Sequence, residues 1–115
     1  MNPNRHALID ERLRCMHSAI ARKIEANPAL LEKARKNVER ELGRCSQNSE
    51  LYFKQWKDIL DGPMENTLMA LSGRGERETA LRQSSPFYGF LSPLERWDIV
   101  RQFHERYASR QVASP

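Results

Sequence analysis

Apolar residues recur along this chain at intervals of three and four, and no alternating run of strand length interrupts them, so the pattern predicts an all-α protein. The first stripe is Ile9, Leu13, Met16, Ile20 and Ile24, spaced four, three, four and four. That period places all five on one face of a helix from about Arg5 to Ala26, with Asn4 positioned to cap its start. Asn27-Pro28 ends it, because proline disfavours helical backbone in the residue before it. The same dipeptide opens a second helix, with Asn27 as cap and Pro28 at the first position. Its stripe is Leu31, Ala34, Val38 and Leu42, continued by Cys45; Gly43 and the run Ser46-Gln47-Asn48 end it. So short a connection predicts an antiparallel helical hairpin, or a sharp corner, between the first two helices.

A third helix, from near Ser49, carries Tyr52, Phe53, Trp56, Ile59 and Leu60. Asp61-Gly62-Pro63 breaks it and begins a short fourth helix with Met64, Leu68, Met69 and Leu71. Ser72-Gly73-Arg74-Gly75, with two glycines and no apolar anchor, is the expected flexible point, and a brief helix from Glu76 to Gln83 follows. The last helix, Pro93 to about Ala108, has an explicit start: Ser92 caps, Pro93 fits the first turn, and Glu95 reaches back to close a capping box. The tail, residues 109–115, is expected to be disordered. The expected fold is thus a single domain, residues 1–115, built as a compact bundle of five to six short helices.

The connection from Ser84 to Ser92 breaks the polar habit of loops. Phe87, Tyr88, Phe90 and Leu91 crowd into it, with Trp97 just beyond. Either the loop plugs the core, folding over the third helix onto Trp56, or it faces a partner. In the second case Phe87, Tyr88 and Phe90 are the anchors and Arg82 and Arg96 the rim, since aromatics and arginines dominate interface energies.

A chain of 115 residues suits one core, and 39% hydrophobic against 30% charged residues fits a small helical domain with much surface. The net charge of +4 is carried mostly by arginine and favours acidic partners or nucleic acid. Lys33, Lys36, Arg40 and Arg44 form a ridge about 16 Å long on the second helix, opposite its apolar stripe. Phosphates or an acidic protein groove could align along it. It reads equally as a solvated face supported by the Glu32–Lys36 pair. Aromatics are not interleaved with it, so nucleic acid is not the favoured partner.

Little points to chemistry. Cys15 and Cys45 lie on separate helices without metal or CxxC spacing. With no apolar leader and no apolar run of roughly 20 residues, the expectation is a reduced, cytoplasmic protein free of membrane. His6, Asp10 and His17 share one edge of the first stripe, but His17 lies roughly 10 Å beyond Asp10, too far for one coordination sphere. No metal, cofactor or catalytic residue is expected. No phosphate-binding glycine loop, HExxH or nucleophile elbow is present, and serine, histidine and acid show no triad-like arrangement.

Two competing readings use arginine. Arg12 and His17 form R-x4-H, which resembles the ribonuclease motif of HEPN-domain proteins, where the arginine stabilises phosphate charge and the histidine handles the proton. Here the motif sits on the first helix, Arg12 falls well round from His17, and Leu13 stands where those proteins carry a polar residue. A DNA-binding helix pair would use Arg77, Arg82, Arg96 and Arg101, but its nine-residue apolar connection contrasts with the usual three or four.

Two blocks, Arg5 to Arg35 (RHALIDERLRCMHSAIARKIEANPALLEKAR) and Leu81 to Trp97 (LRQSSPFYGFLSPLERW), together resemble small bacterial proteins encoded in two-gene operons beside a nucleotidyltransferase-like or other toxin-like gene. The blocks cover under half the chain and carry no catalytic motif. The resemblance implies an antitoxin-like protein that neutralises the neighbouring gene product by direct contact, with homodimer formation also open.

Overall fold

Six α-helices, with no strand among the described residues, bear out the all-α bundle that the apolar spacing predicts. The computed structural model describes residues 5–112, with side chains described as far as Tyr107. The expected Asn4 cap lies outside that range. The helices are α1 (Arg5–Ala26), α2 (Leu30–Leu42), α3 (Gln47–Asp61), α4 (Met64–Ser72), α5 (Glu76–Gln83) and α6 (Pro93–Val112). The final helix therefore continues past Ala108, so part of the tail expected to be disordered is helical; residues 113–115 lie outside the described range.

The chain turns sharply at Asn27. The Asn27 N–H still donates to the Lys23 carbonyl, while the carbonyls of Asn27, Pro28 and Ala29 accept from Leu30, Leu31 and Glu32 in a tight three-residue register. Regular α2 thus begins at Leu30, later than the Asn27-Pro28 cap suggests. Of the hairpin and the corner, the structure is nearer the corner: α2 packs mainly on α3 and α1 mainly on α4. The physical reason is the 84–91 loop, which bonds to both α1 and α2 and occupies the space between them. α4 and α5 link the two halves, each touching both α1 and α3.

Trp56 is fully buried at the junction of α3, α5 and the loop, and its indole N–H donates to the Leu81 carbonyl at 2.8 Å. Around it lie Ile24, Val38, Leu60, Leu71 and Leu81, all essentially inaccessible. Ile24, Val38, Leu60 and Leu71 belong to the apolar patterns of α1 to α4, whereas Leu81 comes from a helix without a stripe and Ile9 and Met69 of the patterns are exposed, so helical periodicity selects only part of the core. Gly73 is required where it stands: a Cβ would lie 2.6 Å from the Met69 carbonyl oxygen and 2.9 Å from the Glu78 side chain.

α6 is attached differently. It packs on α1, and none of its described side chains is buried. Its start is the expected capping box: the Ser92 N–H donates to Glu95 at 2.9 Å and the Glu95 N–H to the Ser92 hydroxyl at 3.1 Å. Lys23 of α1 donates to the same carboxylate at 2.7 Å and to the Phe90 carbonyl at 2.9 Å, tying cap, loop and α1 together.

Candidate interaction surface

The apolar loop divides by side chain. Phe87 is 3% exposed and Phe90 6%, and Pro86 is buried with them. Phe87 meets Trp56 edge-on at 5.2 Å and Phe90 at 5.3 Å, contacts worth about 0.5–1.5 kcal/mol each beyond area burial. Two residues placed as partner anchors, Phe87 and Phe90, are therefore core plug. Their burial follows from the cradle of donors around the backbone: Asn37 donates to the Pro86 carbonyl at 2.8 Å and Lys33 to the Gly89 carbonyl at 2.7 Å. Gly89 turns the chain at φ +80°, a left-handed conformation that glycine adopts without steric cost.

Arg82, placed as interface rim, is also a correction: it is 3% exposed and donates to the Ala70 carbonyl at 3.1 Å, at the end of α4. Burial, reinforced by the nearby charge of Arg14, lowers its pKa. Tyr88 and Arg96 do reach the surface, Tyr88 with 41% of its area exposed and its hydroxyl 3.3 Å from Glu41. They border one cleft of about 190 Å³ whose wall includes Leu13, Met16 and Leu91.

His17 lies beneath that cleft, 4% exposed, with both ring nitrogens engaged. Nδ1 is 2.9 Å from the Leu13 carbonyl and Nε2 is 2.7 Å from the Ser85 hydroxyl. A carbonyl only accepts, so Nδ1 carries the proton and Nε2 accepts from Ser85. The Ser85 oxygen in turn accepts the Phe87 N–H at 3.1 Å. Burial pushes the imidazole pKa down to about 4, the loss of solvation outweighing its bond to Leu13. The serine–histidine contact was not legible in the sequence, where the two residues are far apart. So weak a base is poorly matched to proton abstraction at neutral pH, and the bond instead holds the loop. Arg12 stands about 140° around the helix from His17, at five residues' separation. The ribonuclease reading of Arg12 and His17 is not supported by this geometry.

The α2 ridge is exposed, but its charges are partly committed. Lys33 is folded over the loop, 4.9 Å from the Phe90 ring centre, Arg44 pairs with Glu41, and Arg40 donates weakly to Asn37 at 3.4 Å. The DNA-binding pair is not formed: α5 and α6 do not pack on each other, and buried Arg82 is unavailable to a groove.

Large apolar side chains are exposed on several helices: Leu94 by 76% and Trp97 by 61%, one turn apart at the start of α6, Leu51 by 62% on α3, Met69 by 61% on α4 and Ile9 by 45% on α1. Trp97, grouped in the sequence with the loop aromatics, points away from them into solvent and stacks beneath Arg101 at 5.4 Å. A signal was present. Leu94 and Trp97 fall on a different side of α6 from Ile99, Phe103 and Tyr107, so its apolar residues span more than one neighbour can cover.

Among the described residues no cluster of three or more histidine, cysteine, aspartate or glutamate side chains could hold a metal, and no helix is long and apolar enough to cross a membrane. Comparison with protein-family models, with curated proteins and with solved structures finds no match.

Proposed function

We propose that the chain is a protein-binding, antitoxin-like component of a bacterial toxin–antitoxin pair, neutralising its partner by direct contact. One observation carries the reading: Leu94 and Trp97, on the side of α6 turned away from Ile99, Phe103 and Tyr107, are 76% and 61% exposed. α6 packs on α1 by its other side, so these two side chains are left as an apolar patch for a partner to cover. Arginine and acidic side chains surround it, giving the polar rim of an interface. The contact surface is therefore the outer face of α6 with Tyr88 and Arg96, in place of Phe87, Phe90 and Arg82.

The test is co-expression with the product of the adjacent gene, followed by affinity capture and growth measurement. Trp97→Ala and Leu94→Ala should weaken capture and restore growth inhibition by the freed partner while leaving thermal stability unchanged. Unimpaired capture by the folded double variant would refute the assigned surface. Failure of the wild-type chain to capture the product would refute the partnership.

A further inference from the structure

The seam between α1 and α6 opens on one side into a groove of about 780 Å³. The helices run antiparallel along it, because Lys23 meets Glu95 at one end and Cys15 meets Arg106 at the other. α1 lines the groove with Arg14, Ser18 and Arg22, spaced by four, and α6 answers with Ile99, Gln102 and Arg106. Three arginines from two helices thus share one concave surface of ligand size.

Their charge is incompletely answered. Arg14 uses three of its five N–H groups, two on Glu11 and one on the Ser72 carbonyl. Arg106 donates to the Cys15 sulfur at 3.6 Å, a weak acceptor. Among the described residues no carboxylate lies within ion-pairing distance of Arg22 or Arg106. The one acidic residue lining the groove, Glu105, is paired with Arg101 at 3.0 Å; Glu11, outside the lining, pairs with Arg14 and with Arg74 at 3.4 Å and only partly offsets Arg106. Like charges facing each other across a groove repel, and an anion seated between them removes that cost. Guanidinium forks match phosphate oxygens in geometry as well as sign.

We infer that this groove binds a small ligand carrying two or more linked phosphates. The reach of the arginines and the lining of the site set that limit. Arg14 and Arg22 are about 12 Å apart along the α1 axis, a distance that their long side chains close by converging on one diphosphate or triphosphate group, and no aromatic side chain lines the groove to stack the bases of a nucleic-acid strand. Arg14 and Arg106 take the phosphates at one end, Arg22 at the other, and Ser18 and Gln102 donate between them. Ile99 offers an apolar seat for whatever the phosphates are attached to. The site is separate from the outer face of α6 and does not depend on the partner reading.

The experiment is calorimetric titration of the full chain at physiological salt with inorganic pyrophosphate, ATP and a single-stranded oligonucleotide. Pyrophosphate and ATP are expected to bind with one-to-one stoichiometry. Arg22→Ala and Arg106→Ala should each weaken both by about tenfold, the scale of one charged hydrogen bond. Arg40→Ala and Arg44→Ala on the α2 ridge should leave both unchanged. ATP binding tighter than pyrophosphate would place the base or sugar on Ile99, whereas equal affinities would assign the binding to phosphate alone. Bound pyrophosphate should also slow alkylation of Cys15, in the groove, relative to Cys45. That measurement uses the unaltered chain and so stands even if an arginine variant fails to fold. Absence of pyrophosphate and ATP binding, equal loss from the ridge variants, or binding of the oligonucleotide alone would each overturn the proposal.

Discussion

His17 makes the stability of this protein depend on pH in a window where few other groups titrate. The unfolded chain takes up a proton at the ordinary histidine pKa of 6.5, whereas the buried imidazole resists until about 4. Between these values the unfolded state binds more protons, so stability falls as the pH falls. At pH 5 the loss relative to neutral pH is about 2 kcal/mol, and it approaches about 3 kcal/mol below pH 4, from 1.36 kcal/mol per pKa unit. The assay is urea unfolding at intervals from pH 7.5 to 4.5, run in parallel on His17→Gln because carboxylates begin to protonate in the lower part of that range in both proteins. With a slope of about 2 kcal/mol per molar urea, the midpoint should drop by about 1 M between pH 7 and pH 5. His17→Gln, which cannot titrate, should be less stable at neutral pH but lose the dependence between pH 6.5 and 4.5. A flat wild-type profile, or an equally steep profile in His17→Gln, would refute the reasoning. So would an imidazole NMR titration of His17 with a midpoint near 6.5.

The other predictions concern the loop and the last helix. Phe87→Ala should destabilise by about 3–5 kcal/mol in denaturant unfolding, while neighbouring Tyr88→Ala should cost under about 1 kcal/mol, because only the first empties a core site. Gly89→Ala should cost about 1–2 kcal/mol, measured in the same way, since alanine resists φ +80°. Ser92→Ala removes the α6 cap and should cost about 0.5–2 kcal/mol, with the loss of helicity on heating beginning in α6 by circular dichroism. The Glu95 carboxyl is held down to about 2, chiefly by its bond from Lys23 and then by the Ser92 N–H. Its contribution is complete above the unfolded value of 4.5 and disappears as the pH falls toward 2, so Glu95→Gln should flatten acid unfolding across that range.

Helix positions and much of the core were written in the sequence, because a period near 3.6 residues gathers apolar side chains on one side of a helix, the side that packing then buries in part. The last helix was legible from local chemistry alone: Ser92, Pro93 and Glu95 specify a start through bonds between near neighbours in the chain. The site was less legible. Phe87, Tyr88 and Phe90 are equivalent as a string of aromatics, and only the donors that Asn37 and Lys33 direct at the loop backbone decide which rings turn inward. Arg82 looks like a surface arginine until α4 presents the Ala70 carbonyl to it.

What the sequence determined by itself was the all-α class, the helix boundaries to within a few residues, and a loop too apolar to be ordinary. Those depend on interactions spanning one or two turns. The tertiary structure alone decided that α1 and α2 diverge around that loop, that His17 meets Ser85, and that arginines from α1 and α6 share a groove. Each of these joins residues far apart in the chain, and their meeting depends on how whole helices pack, which no local spacing encodes.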